Sequence, residues 1–180
     1  MRRTVIILLS LLVCAVLSSC GYNTTSMLAK EYDSVHVGNF ANKIDPSKEI
    51  SDKRSNYTYR PGLETDITRS VIDRFIFDRN IAIKSEPEAA LLLKGALIDL
   101  REYPLSYDKS DNIEEFRIEL YVSIELYDNR TDKLIWKEPS FMGQSTYTVS
   151  GPNAKTESQA LNDAVKDLAQ RVVERTVEAW

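Results

Sequence analysis

The chain is short of the side chains that most enzyme chemistry needs. Its 180 residues include one histidine, His36, and two cysteines, Cys14 and Cys20, which both fall in the first twenty positions. His36 has no cysteine or second histidine with which to share a metal, and no His, Cys or Ser arrangement has the spacing of a nucleophile and its base. The paired acids Glu114 and Glu115 stand at the start of a strand pattern, where solvent reaches them. The expectation is a protein that is not an enzyme and that holds no metal. Positive charge is scarce as well, since 23 Lys and Arg face 27 Asp and Glu for a formal net charge of −4. Nucleic acid would call for a basic patch or stripe, so it is not an expected partner. Beyond residue 17, no apolar run approaches the roughly 20 residues of a membrane-spanning helix.

What the chain does carry begins at its N-terminus. Arg2 and Arg3 precede an apolar stretch over residues 5–17, broken only by Ser10. A positive start followed by about 7–15 apolar residues is the pattern of a secretory signal. The stretch closes on Leu17-Ser18-Ser19-Cys20. These residues resemble the bacterial lipobox, in which an aliphatic residue and two small ones precede a cysteine whose thiol takes a diacylglyceryl group before the chain is cut on its amino side. A thiolate is the one side chain here nucleophilic enough for that transfer. The resemblance implies a signal peptide over residues 1–19, a lipidated tether over 20–31 and a single domain over 32–180. It also implies a covalent N-acyl diacylglyceryl lipid on Cys20, and no cofactor. Loss of Arg2 and Arg3 takes the net charge from −4 to −6. Loss of Cys14 leaves no disulfide possible within one mature chain. Gly21, at the position where an aspartate would favour inner-membrane retention in enteric bacteria, points the anchor to the outer membrane.

Within the domain, Val35 and Val37 alternate with His36 and Gly38 as a first strand with a mixed face. Residues 41–60 are polar, charged and aromatic by turns, with Pro46 among them, and read as a long loop. After Pro61-Gly62, Leu63, Ile67, Val71 and Phe75 recur at steps of four with Ile72 and Ile76 beside them, which is an amphipathic helix. Glu64 and Asp66 in its first turn and Arg74 and Arg79 in its last follow the order the helix dipole favours, and Asn80 is a reasonable stop. Ile81-Ala82-Ile83 starts a short strand that Glu86-Pro87 interrupts. The first part of residues 89–103 fits either helix or strand. Gly95 and apolar residues on both parities favour a strand, closed by Pro104, with Ala89 and Ala90 in a helical turn before it.

Strict alternation follows. Phe116, Ile118, Leu120, Val122, Ile124 and Leu126 interleave with Arg117, Glu119, Tyr121, Ser123, Glu125 and Tyr127, so one face is core and the other polar and aromatic. Residues 128–132 carry hairpin chemistry. Leu134 and Trp136 begin the return strand, which Pro139 and Gly143 bend or bulge before it continues through residues 146–149. Thr156-Glu157-Ser158-Gln159 has capping-box spacing. The helix it opens carries the stripe Leu161, Ala164, Val165, Leu168, Val172, Thr176 and Trp180, the last suggesting a docked C-terminus.

The order β, α, β, β, β, α makes an α+β two-layer sandwich, with an antiparallel or mixed sheet of about four strands and two helices packed on one face. The open face and the long edges invite a partner. Charged protection by Glu119, Glu125, Lys133 and Lys137 is an equally good account of them.

In this order, several segments resemble the LptE family of lipopolysaccharide-assembly lipoproteins. They are Cys20-Gly21-Tyr22, Val35-His36-Val37-Gly38-Asn39-Phe40-Ala41-Asn42, Pro61-Gly62-Leu63-Glu64, Ala89-Ala90-Leu91-Leu92-Leu93-Lys94-Gly95, the strand of residues 116–127 with Leu134-Ile135-Trp136, and the close Val172-Val173-Glu174 with Glu178-Ala179-Trp180. The resemblance implies a sandwich anchored by lipid at the periplasmic face of the outer membrane. It further implies a partner, the LptD β-barrel, which the protein plugs and helps to assemble, and lipopolysaccharide as the cargo. Basic residues on the sheet side would meet lipopolysaccharide, and Arg117, Arg130, Lys133 and Lys137 around the central hairpin are the candidates. A different periplasmic lipoprotein on a similar sandwich, either a secretion-channel subunit or an activator of peptidoglycan synthases, is the alternative.

Overall fold

Val35 and Val37, the alternating apolar pair of the first strand pattern, lie buried in β1, Ser34–Val37. The computed structural model describes residues 32–44 and 60–178. Cys20 with its lipobox and tether, most of the expected loop, and Trp180 lie outside the described residues. From β1 the chain runs through β2 (Ala41–Asn42), α1 (Leu63–Asp78), β3 (Ala82–Ile83) and a single 3-10 turn at Glu86–Glu88. It continues with β4 (Leu91–Tyr107), β5 (Ile113–Asp128), β6 (Lys133–Thr148) and α2 (Glu157–Val177).

The sheet is mixed and has six strands, ordered β3-β1-β4-β5-β6 with β2 also paired to β4. Four was the expectation. The two extra strands are only two residues each, too short to show any period. β1 and β2 are successive pieces of one interrupted strand along β4: Val37 is level with Leu93 and Ala41 with Ala96. The expected loop therefore begins with two paired residues. Between the pieces, Phe40 turns inward, and its N–H donates to Thr68 Oγ1 of α1 at 3.0 Å. Its ring crosses directly over Gly95 of β4, leaving no room there for a side chain.

Leu63, Ile67, Val71 and Phe75 of α1 are buried as their spacing predicts, whereas Ile76 is 59 % exposed. Ile76 is one residue round from Phe75 and falls off the buried stripe. Neither Arg74 nor Arg79 is in the last turn: Arg74 precedes it, and Arg79 forms the left-handed C-cap, with φ 62°, its N–H donating to the Phe75 carbonyl at 3.0 Å. α2 opens on the expected capping box, Thr156 Oγ1 accepting from the Gln159 N–H at 3.2 Å while the Gln159 side chain accepts from the Thr156 N–H at 2.9 Å. Leu161, Ala164, Val165, Leu168, Val172 and Thr176 are all buried. At about 1.5–3 kcal/mol for each large apolar side chain withdrawn from water, this stripe is a principal part of the core.

Pro104 does not close β4, which runs on to Tyr107. Past Leu97 the side of β4 away from β5 has no strand partner among the described residues. Proline is tolerated where no ladder hydrogen bond is owed. Pro139 does disturb β6: Val122 pairs with Phe141 but Ile124 with Glu138, so Pro139 and Ser140 together oppose Ser123 as a bulge. Gly143 has a different purpose from the expected bend, because the backbone of α2 at Leu168 sits against it with no space for a Cβ. Val149 lies just past the end of β6 and is exposed.

Candidate interaction surface

β5 divides its side chains cleanly. Ile118, Leu120, Val122, Ile124 and Leu126 are wholly buried toward the helices, while Arg117, Tyr121, Ser123, Glu125 and Tyr127 are half-buried on the opposite face. That open face spans β4, β5 and β6, strands of 17, 16 and 16 residues, or roughly 50 Å at about 3.3 Å per residue.

β4 reaches the open face with a change of phase. Leu97 pairs with Val122 but Asp99 with Tyr121, so Ile98 is an extra residue. Before this bulge Lys94 and Ala96 face outward; after it Asp99, Arg101 and Tyr103 do. Each lands opposite a β5 partner: Lys94 against Glu125, Arg101 against Glu119, Tyr103 against Arg117.

Two polar clusters result. In the first, Glu119 accepts from the Tyr103 hydroxyl and, at 2.8 Å, from the Tyr121 hydroxyl. Arg101 holds Asp99 at 2.7 Å and lies 4.9 Å over the Tyr121 ring. Burial, and then the adjoining Glu119 carboxylate, push the Tyr121 phenol up to about 12. The same two causes raise Tyr103. In the second cluster, Lys137 Nζ stands 2.6 Å from Glu125 Oε1, and the Tyr127 hydroxyl donates to Glu125 Oε2 at 2.7 Å. These hydrogen bonds, from Lys137 first and Tyr127 second, hold Glu125 below the usual carboxylate range. Lys94 lies 4.7 Å over the Tyr127 ring. On this face Asp99 and Glu125 are paired with Arg101 and Lys137, while the Arg117 Nε is buried without a hydrogen-bond partner, and the three phenols stay protonated at any physiological pH.

The four candidate cations do not form one cluster. Lys137 is bound to Glu125. Arg117 lies opposite Tyr103 and Thr146, eight residues along β5 from Glu125, or roughly 26 Å away. Arg130 and Lys133 are exposed at the β5–β6 turn. Sequence reasoning missed Lys94, Asp99, Arg101 and Tyr103, because the bulge at Ile98 hides their common face from any period-two reading. His36 Nδ1 lies 3.1 Å from the Lys84 carbonyl oxygen.

On the helix side the sheet carries one buried carboxylate. Glu102 accepts from the Tyr147 hydroxyl at 2.6 Å, and Tyr147 stacks on Phe116 at 5.6 Å between centroids. Burial raises the Glu102 carboxyl above its ordinary range, against the opposing pull of the Tyr147 hydrogen bond. A groove of about 560 Å³ also opens between the helices, walled by Asp73, Arg74 and Phe77 of α1 and Lys166, Asp167 and Gln170 of α2.

With this arrangement in view, residues 33–176 match the family model of LptE, described as lipopolysaccharide-assembly. The chain belongs to the LptE family. Comparison with curated proteins gives no match. Among solved structures, protein XCC0632 from Xanthomonas campestris is similar, at 14% identity over 80% of this chain and 83% of that one, with a TM-score of 0.50, a likeness of fold. Lipoprotein B from Nitrosomonas europaea aligns at 12% identity over 81% of this chain and 83% of that one, with a TM-score of 0.48. The rare lipoprotein B from Shewanella oneidensis aligns at 15% identity over 80% and 92%, with a TM-score of 0.42. The LptE match takes in the Phe40 crossing over Gly95, the left-handed Gly62 that starts α1 with φ 92°, and the whole open face.

Proposed function

We propose that this LptE-family chain is an outer-membrane lipoprotein, held at the periplasmic face by acyl groups on Cys20, that plugs an LptD-type β-barrel and assists its assembly. In that complex it takes part in passing lipopolysaccharide to the cell surface. The observation that carries this reading is the open sheet face. A surface roughly 50 Å long and polar, with Arg101 paired to Asp99 and Lys137 to Glu125, suits the polar, wet interior of an outer-membrane barrel. Compensation also matters for entry, since an unpaired charge carried into a confined lumen would lose hydration without return.

The role is binding and not catalysis. Arg130 and Lys133, exposed on the turn, and Arg117, on the face itself, are the cations offered to lipopolysaccharide phosphates, while Lys137 is held by Glu125. Depletion of the protein in its own cells tests the reading. The barrel should then be misassembled and surface lipopolysaccharide reduced, whereas an intact barrel with normal surface lipopolysaccharide contradicts it.

A further inference from the structure

The domain has two unlike ends. β1 starts level with β3, Ser34 opposite Ala82, and Val35 is level with Leu91, the first residue of β4. Leu91 in turn pairs with Asp128 at the end of β5, and Asp128 with Lys133 at the start of β6. Both helices run back toward this near end, because Arg60, just before α1, bonds Ser158 in the first turn of α2 at the far end. Tyr32, the first described residue, therefore stands at the near end.

The last turn of α1 ends there too. The Ala82 N–H, four residues after Asp78, donates to the Asp33 carbonyl at 3.0 Å. On that turn Phe77 is 74 % exposed and Ile76 59 %. The Arg74 guanidinium lies 5.3 Å over the Phe77 ring, and its Nε is buried without a hydrogen-bond partner. Two large apolar side chains are thus left exposed on adjoining flanks of one helix end, a surface open to a partner.

The tether identifies the partner. The twelve residues from Cys20 to Glu31 can reach at most about 40 Å, so a lipid on Cys20 tethers the domain to the bilayer by this end. We propose that Ile76 and Phe77 form a membrane-contact edge, inserted among the headgroups of the bilayer that holds the Cys20 acyl chains. The inference rests on the lipid-anchor reading of Cys20. Insertion is apolar and not electrostatic: around this end Arg79, Lys84, Arg130 and Lys133 are outnumbered by Asp33, Asp78, Glu86, Glu88, Asp128 and Asp132. The consequence is an orientation, with the β4–β5 turn and Leu105 pointing away from the bilayer.

The test uses the full-length lipidated protein in neutral phosphatidylcholine vesicles with brominated acyl chains, which quench tryptophan at short range. Phe77→Trp and Leu105→Trp are compared with the parent protein, whose Trp136 and Trp180 give the common background. Both positions are exposed, so neither variant disturbs the core. The added fluorescence of Phe77→Trp should be quenched several-fold more than that of Leu105→Trp. Protein that floats with the vesicles yet shows equal quenching, or none, at the two positions overturns the membrane edge and leaves the anchor standing. Protein that fails to float overturns the anchor reading and the edge together.

Discussion

The ring of Phe40 lies across Gly95, so closely that a methyl group there would overlap three ring carbons. The crossing ties the interrupted edge strand to the sheet below and, through the Phe40 N–H on Thr68, to α1 above. Gly95→Ala should cost about 1–3 kcal/mol by overpacking, and Phe40→Ala about 3–5 kcal/mol by leaving a cavity. Urea unfolding of the two variants checks both figures. A neutral Gly95→Ala would mean that the ring swings aside freely.

Gly143 is the sterner case. The obstacle there includes the backbone N and Cα of Leu168, and a helix axis cannot rotate away as a ring can. Gly143→Ala should therefore destabilise more than Gly95→Ala, by about 3 kcal/mol or beyond. Comparable midpoints for the two variants would contradict the close seating of α2 on β6.

The α2 capping box gives a smaller, separable effect. Thr156→Ala removes the oxygen that accepts from the Gln159 N–H and should cost about 1 kcal/mol, with Thr156→Ser restoring most of it. Equal loss in both variants would place the effect in packing and not in the cap.

Glu102 and Glu125 should respond to pH in opposite senses. Burial raises the Glu102 carboxyl, so its protonated form is favoured in the fold. Its contribution is fully present below the ordinary carboxylate range and falls as pH rises through the raised value. Glu125 is lowered by Lys137 and Tyr127, so its contribution is present above the ordinary range and falls on acidification. Urea midpoints measured between acid and neutral pH should show the first component flattened in Glu102→Gln and the second in Glu125→Gln. Tyr147→Phe, which removes the hydroxyl favouring charged Glu102, should push the first transition to higher pH. A shift downward would reverse the assigned role of that hydrogen bond.

Much of this architecture is legible from residue periods alone. β5 alternates without a break for twelve residues, and the stripe and capping box of α2 lie where the spacing puts them. Pro139 marks a real bulge. What hides from the sequence is whatever depends on a neighbour. Pro104 looks like a stop, but a missing N–H matters only on a side that owes a ladder bond, and past Leu97 the side of β4 away from β5 has no strand partner among the described residues. Gly95 and Gly143 look like weak points in strands, when each is a place where another element presses in. The open face was only half readable: Arg117, Tyr121 and Glu125 follow from alternation in β5, but the bulge at Ile98 moves Asp99, Arg101 and Tyr103 onto that face against the local pattern. The hairpin pattern puts Arg117, Arg130, Lys133 and Lys137 together, but it shows neither the ion pair of Lys137 with Glu125 nor the distance of Arg117 from the turn.

The central claim is that this chain is an LptE-family protein that works against a β-barrel in the outer membrane. Affinity capture of the full-length lipoprotein from detergent-solubilised membranes of its own cells tests that claim most directly. The account predicts that a large LptD-type β-barrel comes down with it in stable association. Recovery of soluble periplasmic proteins alone, with no barrel, would contradict it and favour a secretion-channel or peptidoglycan-synthase partner.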